Sequence, residues 1–177
     1  MEAYAVVLYF DAAATEKLRN TTTAIATATG NTTLLDAGIP PHVTVAAFSA
    51  EDESALVKAV GEFASQAVSG TLLFDRLHGF APKVLFAAPK KDDYLRNLNQ
   101  QATDILIKDF QPNDNGYYLP HMWLPHCALA LQLNEMQYET AQIAAETLEF
   151  PFTARVEKIV LARSVPYVEV AEWELKK

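Results

Sequence analysis

Two histidines in this chain each follow a proline and open an apolar run. The first stands in Pro40-Pro41-His42-Val43-Thr44-Val45-Ala46-Ala47-Phe48. The second stands in Leu124-Pro125-His126-Cys127-Ala128-Leu129-Ala130-Leu131. Proline favours extended backbone around it, and the apolar, β-rich tails predict buried strands. Side chains two apart on a strand share a face. His42 and Thr44 therefore point the same way, and so do His126 and Ala128. Histidine is the side chain whose unperturbed pKa lies near neutrality. Two such rings facing one cleft make an acid–base couple, one taking a proton while the other gives one. The Thr44 hydroxyl is placed to donate a hydrogen bond to a substrate anion. Only the first copy carries that hydroxyl. A single His-x-Thr on a strand arises often by chance and is then structural. Two proline-led copies, each opening an apolar strand, are much harder to reach by chance.

The elements that must position these residues read off the chain in order. Tyr4 to Phe10 is a continuous apolar run and predicts a central strand. Asp11 is a candidate cap for a helix over Ala12 to Ala28, whose threonines weaken its second half; Gly30 ends it. Asn31 to Pro41 is a loop, and a strand from His42 to Phe48 follows. Ser49 or Glu51 opens a helix from about Asp52 to Gln66, with Leu56, Val60 and Phe63 on one face. Val68 to Leu77 and Lys83 to Ala88 predict paired strands across Gly79-Phe80-Ala81-Pro82. Asp92 or Asp93 starts a helix to about Lys108, and Gln111 to Trp123 is a polar loop. A strand from His126 to Leu133 precedes a helix capped by Asn134 and ending near Leu148. Phe152 to Ala162 and Tyr167 to Leu175 close the chain as two strands.

Each half thus runs helix, loop, Pro-His strand, helix, two strands. The halves span roughly 12–90 and 91–177, with the strand at 4–10 joining the sheet. The expected fold class is α+β: one domain over 1–177 made of two lobes facing each other, with mostly antiparallel sheets and flanking helices.

Composition narrows the function classes. The chain has 177 residues, half of them hydrophobic, enough for one sizeable core. The net charge of −8 argues against DNA or long RNA as a partner, because such binding leans on many Lys and Arg. It leaves room for a small phosphate ester in a local pocket. No apolar run approaches a membrane span, and Met1-Glu2-Ala3-Tyr4 lacks the basic start of a signal peptide. The single Cys127 forms no internal disulfide, and alternation turns it away from the His126 face into the core. A cytoplasmic monomer is expected. His121, His126 and His78 lack thiolate or carboxylate companions at ligand spacing, so no metal and no cofactor is expected.

With these motifs the chain resembles the 2H phosphoesterase superfamily, in its 2′-5′ RNA ligase-like (RNA 2′,3′-cyclic phosphodiesterase) group. His42-Val43-Thr44-Val45 fits the first His-x-[Thr/Ser] motif. His126-Cys127-Ala128-Leu129 fits the second at the histidine but not at the hydroxyl. The ending also resembles the family, from Val156 through Arg163-Ser164 to Tyr167, Trp173 and Leu175. The resemblance implies a bilobal fold with a pseudo-twofold axis and a central cleft that holds both histidines. It implies metal-free cleavage or formation of phosphodiester bonds at a ribose 2′ position, on a small nucleotide or an RNA terminus. His42 and His126 would be catalytic, and Thr44 would bind phosphate. Trp123 and Tyr167, with Tyr117 and Tyr118, are candidates to stack a base or donate to phosphate, against ordinary packing. Ala128 marks the position of a missing donor. A chain lacking it is a slowed enzyme, draws a donor from elsewhere, or is a nucleotide- or RNA-end-binding protein that keeps the cleft.

Overall fold

The computed structural model describes residues 1–176. Among these residues, five helices and eight strands follow in the order β1 (Glu2–Phe10), α1 (Ala12–Thr29), α2 (Thr33–Asp36), β2 (Val43–Ala50), α3 (Glu53–Gln66), β3 (Thr71–Phe80), β4 (Val84–Pro89). Then come α4 (Asp93–Leu106), β5 (Gln111–Pro112), β6 (Cys127–Ala130), α5 (Glu135–Ala144), β7 (Phe152–Arg163) and β8 (Val168–Glu174).

The helices begin where short polar side chains can take their first free N–H groups. Asp11 accepts from Ala14 N, Asp52 from Ala55 N and Asp92 from Leu95 N. Asn134 and Gln137 form a reciprocal capping box on α5. Helix α1 keeps its helical path through its threonines as far as Thr29. Thr21, Thr23, Thr27 and Thr29 each donate the hydroxyl to the carbonyl four residues back, so the polar groups compete little with the ladder. Gly30, at φ 70, ends the helix in the left-handed region.

Every named strand pair is antiparallel, in the order β5-β2-β1-β7-β3-β4-β6, with β8 also on β7. The long β7 is shared between two lobes. Its residues 152–155 pair with β3, and its residues 156–163 pair with β1. The lobes do not follow the sequence halves. Helices α1 and α5 pack together against β4 and β6, while α3 and α4 pack together against β2 and β8. Each lobe therefore takes a helix and strands from both halves. One continuous core runs beneath them, with Leu8, Leu18, Ile25, Phe63, Leu72 and Phe74 fully buried. Strand β3 extends through Gly79-Phe80, further than the sequence predicts, and the turn falls at Ala81–Lys83. Gly79 permits this: a Cβ there would overlap the Tyr138 hydroxyl of α5.

Among the described residues, no helix is long and apolar enough to cross a membrane.

Candidate functional site

Strands β2 and β6 enter the cleft from opposite lobes, each led in by a proline and a histidine. His42, Thr44, His126, Ala128 and Tyr167 all line one cavity of about 220 Å³. Both histidines are half-buried. The two rings are held alike. His42 Nδ1 lies 2.8 Å from the Pro40 carbonyl, and His126 Nδ1 lies 2.9 Å from the Leu124 carbonyl. A carbonyl only accepts, so each Nδ1 carries the hydrogen and each Nε2 is left free. A free Nε2 takes a proton when the ring is neutral and gives one when the ring is charged. The intervening Pro41 and Pro125 have no N–H, and each fixes its own φ between the ring and the carbonyl that holds it.

Burial lowers the pKa of both rings. For His42 the proximity of His126 adds to the effect, and the Pro40 carbonyl opposes it. For His126 the Leu124 carbonyl opposes the burial. The rings differ in their packing. His42 stacks on Tyr167 at 6.4 Å. His126 sits among Phe80, Phe86 and Tyr118, at 5.3, 5.2 and 6.5 Å between ring centres.

Each motif strand also carries a bulge at the same place. Val6 and Val7 of β1 pair with Ala46 and Thr44, leaving Val45 as the extra residue. Leu85 and Phe86 of β4 pair with Ala130 and Ala128, leaving Leu129 extra. Both extras stand three residues after a histidine. A bulge bends its strand and re-aims the side chains beside it. The freed edge of β2 is satisfied from outside the sheet. Trp123 Nε1 donates to the Thr44 carbonyl at 3.0 Å. The Asn99 side chain donates to the Val45 carbonyl at 2.7 Å and to the Tyr118 carbonyl at 2.8 Å. Lys91 Nζ donates to the Trp123 carbonyl at 2.6 Å and lies over the indole ring. Residues 113–123 are thereby fastened to the edge of β2.

Trp123, expected as a substrate contact, forms part of the wall of a hollow beside His126 and is otherwise packed against the motif strand. The residue is 2 % exposed and its only side-chain N–H is spent on Thr44, so it ties the loop to the motif strand. Tyr167 does line the cleft, and its hydroxyl pairs with that of Tyr9. Cys127 is fully buried, and burial pushes its thiol up to about 12, which leaves it inert. His78 and His121 are exposed and stand outside the cavity. Among the described residues, no group of three or more His, Cys, Asp or Glu comes together in a metal-holding arrangement.

Sequence reasoning missed Asn99. Its signal was present: it lies on the apolar face of α4 with Leu95, Leu98, Ala102 and Leu106, all buried. A polar residue in that stripe has to find a buried partner. Asp114 and Arg163 were missed as cavity walls. The Arg163 guanidinium is paired with Glu2 at 2.8 Å and Glu53 at 2.7 Å.

Two further hollows share walls with this cavity. Beyond His126 lies a hollow of about 580 Å³, walled largely by Phe80, Tyr117, Tyr118, Met122 and Leu124, with Asp114 at the junction. Beyond His42 and Ala128 lies a hollow of about 300 Å³ lined by Arg19, Leu34 and Ile39.

The family model of the 2′-5′ RNA ligase superfamily matches residues 14–166. No curated protein matches the chain. Solved structures resemble it over nearly its whole length. One described as a phosphoesterase is 16% identical, covers 99% of both chains and has a TM-score of 0.64. TT0787 of Thermus thermophilus is 14% identical, covers 98% of both and scores 0.62. E. coli LigT complexed with 3′-AMP is 15% identical, covers 99% of both and scores 0.60. Identities this low establish a shared α+β, two-lobed fold.

Proposed function

Because the chain belongs to the 2′-5′ RNA ligase superfamily of 2H phosphoesterases, we propose that it is a metal-independent phosphodiesterase acting on 2′,3′-cyclic phosphates or 2′-5′ linkages of nucleotides or RNA ends. The observation that carries this reading is the matched pair of imidazoles in one cavity, each with Nδ1 tied to a carbonyl. In opening a cyclic phosphate, one neutral Nε2 takes a proton from water. The water oxygen bonds to phosphorus as the ribose oxygen departs on the opposite side. The other ring, protonated, gives its Nε2 hydrogen to that leaving oxygen. Charge grows on the non-bridging oxygens, and the Thr44 hydroxyl donates to one of them.

The flanks of the cavity suit a nucleotide. The hollow beside His126 offers aromatic faces to a base and carries a carboxylate that repels phosphate. The hollow beside His42 offers Arg19 to a further anion. E. coli LigT has been solved with 3′-AMP and with phosphate, ligands of the class this cleft would hold. Ala128 favours a second reading, a nucleotide-binding protein with little or no turnover.

Nucleoside 2′,3′-cyclic phosphates and a 2′-5′-linked dinucleotide, offered separately and followed by product analysis, test the proposal. The expected result is ring opening or linkage cleavage to a phosphomonoester. No turnover, with 3′-AMP still shifting both histidine ring signals, would support the binding protein. No turnover and no shift would defeat both.

A further inference from the structure

The two motif strands offer the cleft unequal equipment. On β2, Thr44 brings a hydroxyl to the cavity wall; at the matching place on β6, Ala128 brings a methyl. A phosphate between the two imidazoles would have a donor on one side and an apolar patch on the other. Charge that builds on an oxygen facing an apolar patch is poorly stabilised. A slow enzyme is one answer. The surroundings of Ala128 supply another.

Tyr118 lines the same cavity as His42, Thr44, His126 and Ala128. Its ring packs against His126 at 6.5 Å, tilted by 31°. It comes from the loop before β6, and it bridges the two motifs, with its ring beside His126 and its hydroxyl bonded to that of Thr44. That loop is irregular, with Asp114, Asn115 and Gly116 all at positive φ. Left free, it would place a tyrosine loosely. Instead its backbone is anchored at Tyr118 itself, where buried Asn99 holds the Tyr118 carbonyl and the Val45 carbonyl with one amide group. Trp123 and Lys91 fix the far end of the loop. The outcome is a phenol whose backbone is referenced to the motif strand one residue from Thr44.

Resting on the phosphodiesterase reading above, we propose that the Tyr118 hydroxyl is the second phosphate donor of this cleft, in the role left empty at Ala128. It is chemically suited to it. Burial, then the nearby Asp114 carboxylate, raise its pKa, and the Thr44 hydroxyl beside it only partly opposes them. The phenol therefore stays protonated, donates, and adds no charge to repel phosphate. The other tyrosine of the cavity has a partner outside the two motif strands. The Tyr167 hydroxyl is engaged with that of Tyr9, which in turn donates to Glu169.

The test is a cycle of Tyr118→Phe, Ala128→Thr and the double variant. Each is measured for turnover of a nucleoside 2′,3′-cyclic phosphate and for binding of inorganic phosphate, followed by histidine ring signals. Removing only the hydroxyl should lower kcat by ~10²-fold, the usual scale for one oxyanion donor, and weaken phosphate binding. Ala128→Thr should restore at least ~10-fold more activity in the Tyr118→Phe background than it adds to the parent, because the two hydroxyls serve one oxygen. Parental kcat and parental phosphate affinity in Tyr118→Phe would overturn the proposal. So would equal gains from Ala128→Thr in both backgrounds. If the parent turns over no substrate, the phosphodiesterase reading fails by itself and phosphate binding decides about Tyr118. Weakened binding in Tyr118→Phe then supports the donor role, and unchanged binding overturns it.

Discussion

At the scale of residues, the cleft is defined by which nitrogen of each ring is free. Nδ1 of His42 and of His126 is occupied by a carbonyl two residues back, so Nε2 is the atom presented to a ligand. His42→Ala and His126→Ala should each lower turnover by at least ~10²-fold, the scale of a positioned acid or base. His78→Ala should leave turnover close to the parent. That ring is exposed and stacks on the back of Phe86 at 5.5 Å, with Nδ1 accepting from Gly79 N. Equal losses in all three variants would contradict the assignment. The histidines and Thr44 were legible because strand alternation and the repeated proline act over a few residues. The tyrosines were legible only as a group. Whether an aromatic ring packs or faces a ligand depends on the distant elements around it, so the tether made by Trp123 was not foreseen and Tyr118 was left undistinguished.

At the scale of elements, the site depends on how an irregular loop is fastened to a bulged strand. Asn99 uses both amide hydrogens, one on Val45 of β2 and one on Tyr118 of the loop. It is 1 % exposed, so no solvent replaces it. Asn99→Leu should keep the shape of α4 but leave two carbonyls without that donor. Stability should fall by about 1–3 kcal/mol, read from urea unfolding with unchanged slope. A variant as stable as the parent would show that the tether is dispensable. Helix starts were legible at Asp11, Asp92 and Asn134, because capping is local, while α3 is capped by Asp52 and not by Ser49 or Glu51. The bulges at Val45 and Leu129 were not. An extra residue in a strand is defined only against its partner, and the partners β1 and β4 lie elsewhere in the sequence.

At the scale of the whole molecule, β7 joins the two lobes and the cleft lies between the strands they contribute. The order of elements was legible from hydrophobic period and turn residues. The exchange of helices between lobes was not, because each half reads the same whether its helices pack at home or across. Proton transfer by two imidazoles needs no ion, so turnover should persist in excess EDTA. Loss with EDTA and recovery with a divalent cation would move the chemistry elsewhere. Burial holds both rings below the ordinary histidine value. In the free protein the protonated acid is thus lost at lower pH than usual, and activity should decline as pH rises through neutrality. The most direct test of the paired mechanism is the pH dependence of kcat/KM for a nucleoside 2′,3′-cyclic phosphate. A bell with its optimum below about 6.5 is predicted, one limb for the base and one for the acid. A flat profile, a single limb, or an optimum well above that value would contradict an acid–base pair made of His42 and His126.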